Sequence, residues 1–207
     1  MSIWLRCAAA LTLLLCLTSA SSRAAQETLT PLAKVKLTLG DALAIVHDQQ
    51  MPLEQRRQGL RDLADRNLDL PRMARGSLGS HWYELSQTER DEYVSLFSAF
   101  IEAAYLSQIQ DYVRLNIEVT NERSTSPNYA LVDAIVKQPH EDDLPITFML
   151  ERHGNDWMVY DVRVENVSMI ENYRGQFDHV IKRHGLAKLL NDLRMKQKQL
   201  AALIGKP

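Results

Sequence analysis

Cysteine is nearly absent from this 207-residue chain, and both copies lie close to its start. Cys7 and Cys16 fall in an amino-terminal apolar stretch, so no disulfide can form within residues 25–207. A chain without disulfides must be stabilised by its hydrophobic core. Residues 25–207 suffice for this, because a domain of this size buries roughly 70% of its unfolded surface.

Motifs for nucleotide, metal or nucleophilic chemistry are also missing. The chain has no GxGxxG or GxxxxGK[ST] run to cradle a phosphate, and no HExxH zinc motif. Gly76–Ser80 is not the Gly-x-Ser-x-Gly elbow of hydrolases. His179 and His184 are read as surface histidines rather than metal ligands. The sequence therefore predicts no enzyme, no resident cofactor and no metal site.

Neither charge nor hydrophobic length points to nucleic acid or to a permanent place in a membrane. The formal net charge is −2, and residues 25–207 hold 22 of the 24 basic residues and all 26 acidic ones. A balance that is slightly acidic excludes a broad electrostatic surface for nucleic acid. No apolar run reaches the roughly 20 residues that span a bilayer.

The first 24 residues have the order of a secretory signal peptide. Arg6 precedes an apolar run from Ala8 to Leu17, and small residues follow up to Ala24. We therefore expect residues 1–24 to be a cleaved signal, cut near Ala24 or after Ala20. Residues 25–207 are expected to form a single domain of an exported protein.

Residues that start helices are frequent in the first half of the remaining chain. Residues 25–37 are read as an extended leader, and the first helix is predicted to begin at Thr38. Pro52 suits the first turn of a second helix. Ser86–Glu89 has the capping-box form and opens a long amphipathic helix with an aromatic stripe, which is predicted to reach Val113.

Segments rich in strand-forming residues then replace the helical spacing of apolar residues, and helical spacing returns after them. Three polar turns separate four predicted strands, which are residues 115–120, 129–137, 146–152 and 157–165. Ser168 is a second capping-box start, Gly185 ends that helix, and a last helix follows. The layout predicts an α+β fold, with a long helix packed on a twisted four-stranded antiparallel meander and an apolar space between the layers.

Alternation in the last predicted strand defines an apolar sheet face that must be covered. That face is expected to carry Met158, Tyr160, Val162 and Val164, with Asp161 and Arg163 on the other. An apolar stripe usually forms solid core, so periodicity alone leaves open whether the space holds a ligand.

Four segments of the chain carry a resemblance to a known family. In chain order they are Met73-Ala74-Arg75-x-x-Leu78-Gly79-x-x-Trp82, Phe97-x-x-Phe100-Ile101, Trp157-Met-Val-Tyr160-Asp161-Val162, and Asn172-Tyr173-Arg174-x-Gln176-Phe177. Through these segments the chain resembles the MlaC (toluene-tolerance) family of periplasmic phospholipid carriers in the Mla pathway. The family usually has glycine where Asn166 stands, and asparagine tolerates the same left-handed backbone.

The resemblance implies a non-enzymatic carrier that buries the acyl chains of a phospholipid cargo. It implies transfer between an outer-membrane lipoprotein–porin complex and an inner-membrane ABC transporter complex with its membrane-anchored lipid-binding subunit, which maintains outer-membrane lipid asymmetry. The carrier is expected to be a monomer that binds no nucleic acid. The faces inferred above predict a cavity lined by Phe97, Phe100, Ile101, Tyr105, Val132, Val136, Phe148, Tyr160, Val162, Val164, Tyr173 and Phe177.

Three other functions remain open from the residues alone. A cone-shaped α+β enzyme could use Asp133 or Asp161 with a tyrosine, if either carboxyl were buried in the cavity. An envelope adaptor would have a solid core and no ligand. A carrier could instead hold a hopanoid or another envelope lipid.

Overall fold

A computed structural model describes residues 29–106, 116–137 and 142–204. These residues form six α-helices and one five-stranded antiparallel sheet, which confirms the α+β class. None of the described helices combines the length and apolar character needed to cross a membrane. The helices are α1 (Pro31–His47), α2 (Leu53–Asn67), α3 (Leu70–Leu78), α4 (Gln87–Leu106), α5 (Met169–His184) and α6 (Leu186–Ile204), with a 3-10 helix at Gly79–Glu84. The strands are β1 (Asn116–Ser126), β2 (Tyr129–Lys137), β3 (Leu144–His153), β4 (Asp156–Val164) and β5 (Val167–Ser168).

The first helix begins earlier than the sequence predicted. Thr30 is its N-cap, and its side chain accepts a 3.1 Å hydrogen bond from the backbone N–H of Ala33. Pro31 occupies the first helical position, where its missing N–H costs nothing. Val35 is buried against the sheet. The predicted extended leader is therefore wrong from residue 31 onward, whereas residues 25–28, like the predicted signal peptide, lie outside the described residues.

Both predicted N-caps are confirmed, and the first of them, at Ser86, is a complete capping box. The Ser86 N–H donates to the Glu89 carboxylate at 2.8 Å, and the Glu89 N–H reaches the Ser86 hydroxyl at 3.4 Å. The Ser168 hydroxyl accepts from the Glu171 N–H at 3.0 Å, and α5 ends before Gly185, which has a φ of 81°. The predicted continuation of α4 to Val113 falls outside the described residues beyond residue 106.

The sheet is a meander in which each strand pairs with the next along the chain. All four predicted strands are present, and β5 adds a short fifth at the edge. The first strand runs to Ser126, beyond its predicted end at residue 120, so much of the connection that was predicted before residue 129 is still strand. Its hairpin turn contains only Pro127 and Asn128. A register shift between Ser124 and Ser126 accompanies the longer hairpin.

A β-bulge in β4 reverses its side-chain alternation. Met149 pairs with Asp161, whereas the next residue of β3, Leu150, pairs with Val159. Tyr160 is therefore the extra residue, opposite no single partner. Because one inserted residue exchanges the two faces of a strand, Val159 and Val162 lie on the same face.

Two main layers of apolar side chains stabilise the domain. Helices α3 to α6 share one core, at whose centre lie Tyr93, Phe97 and Met73. Helix α1 covers one sheet face through Val35, against Val132, Leu150 and other strand residues. The cavity described next lies where these two layers meet.

Candidate functional site

An apolar cavity of about 440 Å³ lies between helices α2 to α4 and one face of the sheet. Its volume falls in the range of roughly 300–1,000 Å³ that is typical of ligand pockets. Nine of its thirteen lining residues are apolar, and the four polar ones are Gln58, Arg61, Asp65 and Ser98. The apolar lining residues are Ala64, Leu68, Leu70, Met73, Ile101, Ile146, Val162, Val164 and Met169.

Helix α2 supplies the polar rim of this cavity. Gln58 and Asp65 are exposed to solvent, and the Arg61 guanidinium donates to the Gln58 side-chain oxygen at 3.0 Å and to Glu54 at 3.3 Å. Ala64 and Asp65 follow Arg61 by three and four residues, so both lie next to it on the helix surface. Sequence reasoning missed this wall. The sequence pattern of this wall is a small Ala64 among polar residues. The same pattern is typical of an ordinary exposed helix face, so it does not by itself indicate a cavity.

The junction between α2 and α3 holds two leucines in the cavity wall. The Asp69 N–H donates to the Val159 carbonyl at 2.9 Å, and Leu68 forms an isolated parallel bridge with Val159. The Asp69 carboxylate accepts from the Arg72 N–H at 3.0 Å and so caps α3. These bonds tie the junction to β4, so Leu68 and Leu70, on either side of Asp69, both line the cavity.

The sheet wall of the cavity is set by the bulge in β4. Val162 pairs with Phe148 and Val164 with Ile146, and Val162, Val164 and Ile146 line the cavity. Tyr160 lies on the opposite face, where its ring packs under the Arg72 guanidinium at 3.8 Å. The prediction that Tyr160 shares a face with Val162 is therefore wrong, because the bulge breaks the period-two alternation on which it depended.

Helix α4 contributes Ile101 and Ser98 to the cavity, while most of its predicted aromatic stripe forms solid core. Phe97 is completely buried, and its ring lies 6.3 Å from that of Tyr173 in an edge-to-face contact. Phe100 contacts both Tyr173, at 5.2 Å, and Phe177, at 6.0 Å. None of these four aromatic residues is among those that line the cavity in the described part of the chain.

The remaining predicted lining residues have different positions on the sheet. Val132 and Val136 are buried on the cavity-side face of β2. Phe148 lines a smaller space of about 60 Å³, which α1 covers and which shares Leu68 with the main cavity. The side chain of Tyr105 lies outside the described residues. Of the twelve predicted residues, the described structure places Ile101, Val162 and Val164 on the main cavity, and their contact with lipid stays a prediction.

The two acids considered for an enzyme lie on the sheet face opposite the cavity. Asp133 accepts hydrogen bonds from Arg123 at 2.8 Å and from the Thr147 hydroxyl at 2.9 Å. Asp161 is buried, and its carboxylate accepts from the Ser168 hydroxyl at 2.5 Å. Both carboxylates are thus held by structural donors, and neither lines the cavity.

One group of side chains brings potential metal ligands together. Ligand atoms of Asp69, Glu151 and His153 lie within 4.8 Å of one another. The Arg72 guanidinium contacts Glu151, and the His153 ring nitrogen lies 3.3 Å from the Asp69 carboxylate. Because Arg72 already supplies a full positive charge to this group, it is an ion-pair network that a cation would have to disrupt. His179 and His184 are both exposed on α5.

Comparisons with known proteins agree with this architecture. Residues 37–195 match the family described as "MlaC protein". The intermembrane phospholipid transport system binding protein MlaC of Haemophilus influenzae is 22% identical over 126 residues, and the match spans 59% of each chain. A solved structure of the phospholipid-binding protein from Ralstonia solanacearum, in complex with a phospholipid, is 22% identical, with a TM-score of 0.70. That match covers 82% of this chain and 98% of the other.

The family match spans most of the chain, from within α1 to within α6, and it includes every element that lines the cavity. The structural neighbour shows that the arrangement of helices and sheet is the same fold. The chain is therefore a member of the MlaC family.

Proposed function

We propose that this protein carries phospholipid, with acyl chains in the cavity between α2, α3, α4 and the sheet. The observation that supports this most directly is the cavity itself, because its wall is mainly apolar and the described residues leave its interior unfilled. A domain without a ligand packs such surfaces against each other, to the density of an organic crystal. The H. influenzae and R. solanacearum relatives, which are named for phospholipid transport and phospholipid binding, support the same cargo.

The free energy of acyl chains in water explains why a carrier needs such a cavity. Each exposed methylene costs about 0.8 kcal/mol, so a free lipid does not leave a membrane at a useful rate. The leucines and valines of the wall can receive methylenes without any loss of hydrogen bonds. The charged head group would stay at the wet rim, near Gln58, Arg61 and Asp65, because burying it would carry a desolvation cost.

The proposal places the working protein in the periplasm, after removal of residues 1–24, with residues 25–207 as one lipid-binding domain. It would act as a monomer that exchanges lipid with an outer-membrane lipoprotein–porin complex and an inner-membrane ABC transporter complex. That route is what membership of the MlaC family implies, and the cavity is compatible with it. The protein would perform no covalent chemistry on its cargo.

Native mass spectrometry tests the cargo directly. The mature protein is purified from a bacterial periplasm without detergent, its intact mass is recorded, and bound lipid is extracted and identified. We expect a discrete mass increase that corresponds to stoichiometric phospholipid. A hopanoid or another lipid in its place would change the cargo but keep the carrier. A lipid-free mass, together with no uptake from vesicles, would contradict the proposal and favour an adaptor.

A matched pair of variants links the lipid to this cavity. Ala64→Trp adds an indole to the cavity wall, whereas Ala187→Trp makes the same change at an exposed position of α6. We expect Ala64→Trp to fold and to lose most of its bound lipid, because the ring occupies the space of several methylenes. Ala187→Trp should keep the lipid content of the unaltered protein. Equal lipid content in both variants would place the cargo elsewhere.

A further inference from the structure

A second pocket, rich in arginine, lies on the sheet face opposite the apolar cavity. It has a volume of about 240 Å³, and it is formed by α3, β4, the start of α5 and one residue each of β3 and β5. Four arginines line it, namely Arg72, Arg75, Arg163 and Arg174. It shares no lining residue with the apolar cavity.

Hydrogen-bond donors in this pocket outnumber the acceptors that could satisfy them. Within the described part of the chain, Arg75 and Arg163 have no hydrogen bond or ion pair to a carboxylate. The Tyr160 hydroxyl also has no hydrogen-bond partner among the described residues, whereas the neighbouring Tyr129 hydroxyl donates to Glu151 at 2.7 Å. Among the described residues, two guanidinium groups and one phenol therefore have donors that no protein acceptor takes, and those of Arg75 face solvent.

The other two arginines are held in place by the protein. The Arg174 Nε donates to the Gly76 carbonyl at 2.7 Å, which leaves its outer nitrogens available. Helices α3 and α5 are close here, because a Cβ at Gly76 would lie only 2.8 Å from Ile170. Arg72 contacts Glu151 and stacks on the Tyr160 ring. This fixing reduces the conformational entropy that a ligand must remove on binding.

Of the two carboxylates that line the pocket, one already accepts three hydrogen bonds and the other is exposed to solvent. The buried Asp161 carboxylate accepts from the Ser168 hydroxyl and from the backbone N–H groups of Val162, at 2.8 Å, and Ile170, at 3.2 Å. Glu171 is exposed and lies in the first turn of α5. The charge of Arg72 is offset by Glu151, so Arg75, Arg163 and Arg174 face these two carboxylates and the pocket keeps an excess of positive charge.

We propose that this pocket binds a phosphate-type oxyanion, through Arg75, Arg163, Arg174 and the Tyr160 hydroxyl. Guanidinium groups match the geometry of phosphate oxygens and bind them in bidentate pairs. The volume admits a phosphate group but no acyl chain of useful length. The oxyanion could be free phosphate or the phosphate of a lipid head group at a membrane surface, since both present the same oxygens. The proposal does not depend on the cargo of the apolar cavity.

Titration with inorganic phosphate tests the site. Isothermal titration calorimetry of the mature protein is carried out at low ionic strength, where screening of exposed charges is weak. We expect saturable binding at one site. Arg163→Gln should weaken it about tenfold or more, since a charge-assisted hydrogen bond contributes enough for such a change. Arg75→Gln, at an exposed position where loss of folding is not expected, should weaken it in the same direction.

The matched control removes the same charge outside the pocket. Arg183 is exposed near the end of α5, about 14 Å along the helix from Arg174 at 1.5 Å per residue. Arg183→Gln should bind phosphate as the unaltered protein does. Equal weakening by Arg183→Gln and Arg163→Gln would show that only net charge matters and would overturn the site. The site would also be overturned by a double negative result. In that result the unaltered protein shows no saturable phosphate binding, and phosphate displaces no binding to the vesicles described next.

Vesicles then distinguish the two sources of the phosphate. Co-sedimentation is measured with phosphatidylcholine vesicles with and without phosphatidic acid, and free phosphate is used as the competitor. Binding that requires phosphatidic acid, is displaced by phosphate and is lost in Arg163→Gln would support a head-group site. Phosphate binding without vesicle binding would support a site for the free ion. Lipid content in the cavity, measured by native mass spectrometry, should be unchanged in Arg163→Gln, so the two proposals can fail separately.

Discussion

The hydroxyl oxygens of Ser77 and Tyr93 lie 2.7 Å apart in the buried contact between α3 and α4. Both residues have almost no exposed surface. The Ser77 hydroxyl also donates to the Ala74 carbonyl at 2.8 Å, so its single hydrogen is used there. Tyr93 is therefore the donor and Ser77 the acceptor. Burial raises the pKa of Tyr93 far above its ordinary value, which keeps the phenol protonated at any physiological pH.

Because Tyr93 donates this hydrogen bond to Ser77, two conservative substitutions should change the free energy of unfolding by unequal amounts. Ser77→Ala leaves a buried phenol without an acceptor and should lower the free energy of unfolding by about 1–3 kcal/mol. Tyr93→Phe removes a donor that Ser77 does not need and should cost only about 0.5–1.5 kcal/mol. Urea denaturation of both variants measures the difference. A larger loss in Tyr93→Phe would mean that the donor and acceptor roles are reversed.

The bulge predicts opposite results for two neighbouring positions of β4. Val162→Gln places an amide in the apolar cavity, where it has no partner, and should remove most of the lipid detected by native mass spectrometry. Tyr160→Gln places the same side chain on the other face and should keep the lipid. It should cost about 1 kcal/mol in unfolding free energy, from the lost contact with Arg72. Loss of lipid in both variants would contradict the face assignment.

Asp161 is predicted to stabilise the start of α5 rather than to act on a ligand. Asp161→Ala would leave the Ser168 hydroxyl and the Ile170 N–H without their buried acceptor, at a cost of about 2–4 kcal/mol. Asp133→Ala, on the same sheet face but more exposed, should cost about 1 kcal/mol. Thermal or urea unfolding gives both values. Similar small losses would show that the Asp161 bonds are weak.

The turn between β4 and β5 offers a stabilising substitution. Glu165 and Asn166 have φ values of 51° and 66°, and the Glu165 N–H donates to the Pro145 carbonyl at 3.0 Å. A left-handed backbone suits asparagine and strains glutamate. Glu165→Asn should therefore raise the free energy of unfolding by about 0.5–1 kcal/mol, whereas Glu165→Gln should leave it unchanged. No gain in the asparagine variant would indicate a turn without strain.

The contacts of His81 with two carboxylates should make the stability of the protein depend on pH. Its two ring nitrogens lie 3.0 Å from Asp178 and from Glu84, and the hydrogen bond to Asp178 raises the pKa of His81. The protonated ring contributes to the free energy of unfolding. This contribution is full below the ordinary histidine pKa near 6.5, and it is lost as pH rises through the raised pKa of the folded state. The pKa of Asp178 is lowered, first by its hydrogen bond to Lys182 and then by that to His81, so acid removes its contribution.

The expected result is a loss of stability in His81→Gln that is larger at pH 5.5 than at pH 8.5, measured by urea unfolding. Asp178→Asn should remove most of that pH dependence, because it removes the main partner of the ring. A loss in His81→Gln that does not change between the two pH values would show that His81 stabilises the protein only as a neutral residue.

Local chemistry determined the elements that the sequence predicted well. The Ser86 and Ser168 N-caps and the Gly185 stop depend on contacts within a few residues, so their patterns were sufficient. The left-handed turn at Asn166, expected where the family has glycine, is present for the same reason. The start of α1 at Thr30 and Pro31 is also a local signal, and the prediction that the helix begins at Thr38 was wrong although Thr30 caps it through a near neighbour.

The site depended on pairings that no local pattern specifies. Alternation in β4 holds only while each residue has one partner, and the bulge at Tyr160 is decided by the register against β3. An aromatic stripe on α4 has the same spacing whether it meets other helices or a ligand, and here most of it meets α3, α5 and α6.

The sequence by itself determined the α+β order of elements, the caps at Ser86 and Ser168, and the absence of disulfides within residues 25–207. The tertiary structure decided which apolar side chains surround an unfilled cavity, and it alone brought Arg75, Arg163 and Arg174 from three elements into one pocket. The physical reason is that caps and turns are satisfied by near neighbours. A cavity or an unpaired charge depends instead on how segments that are distant in the sequence pack against each other.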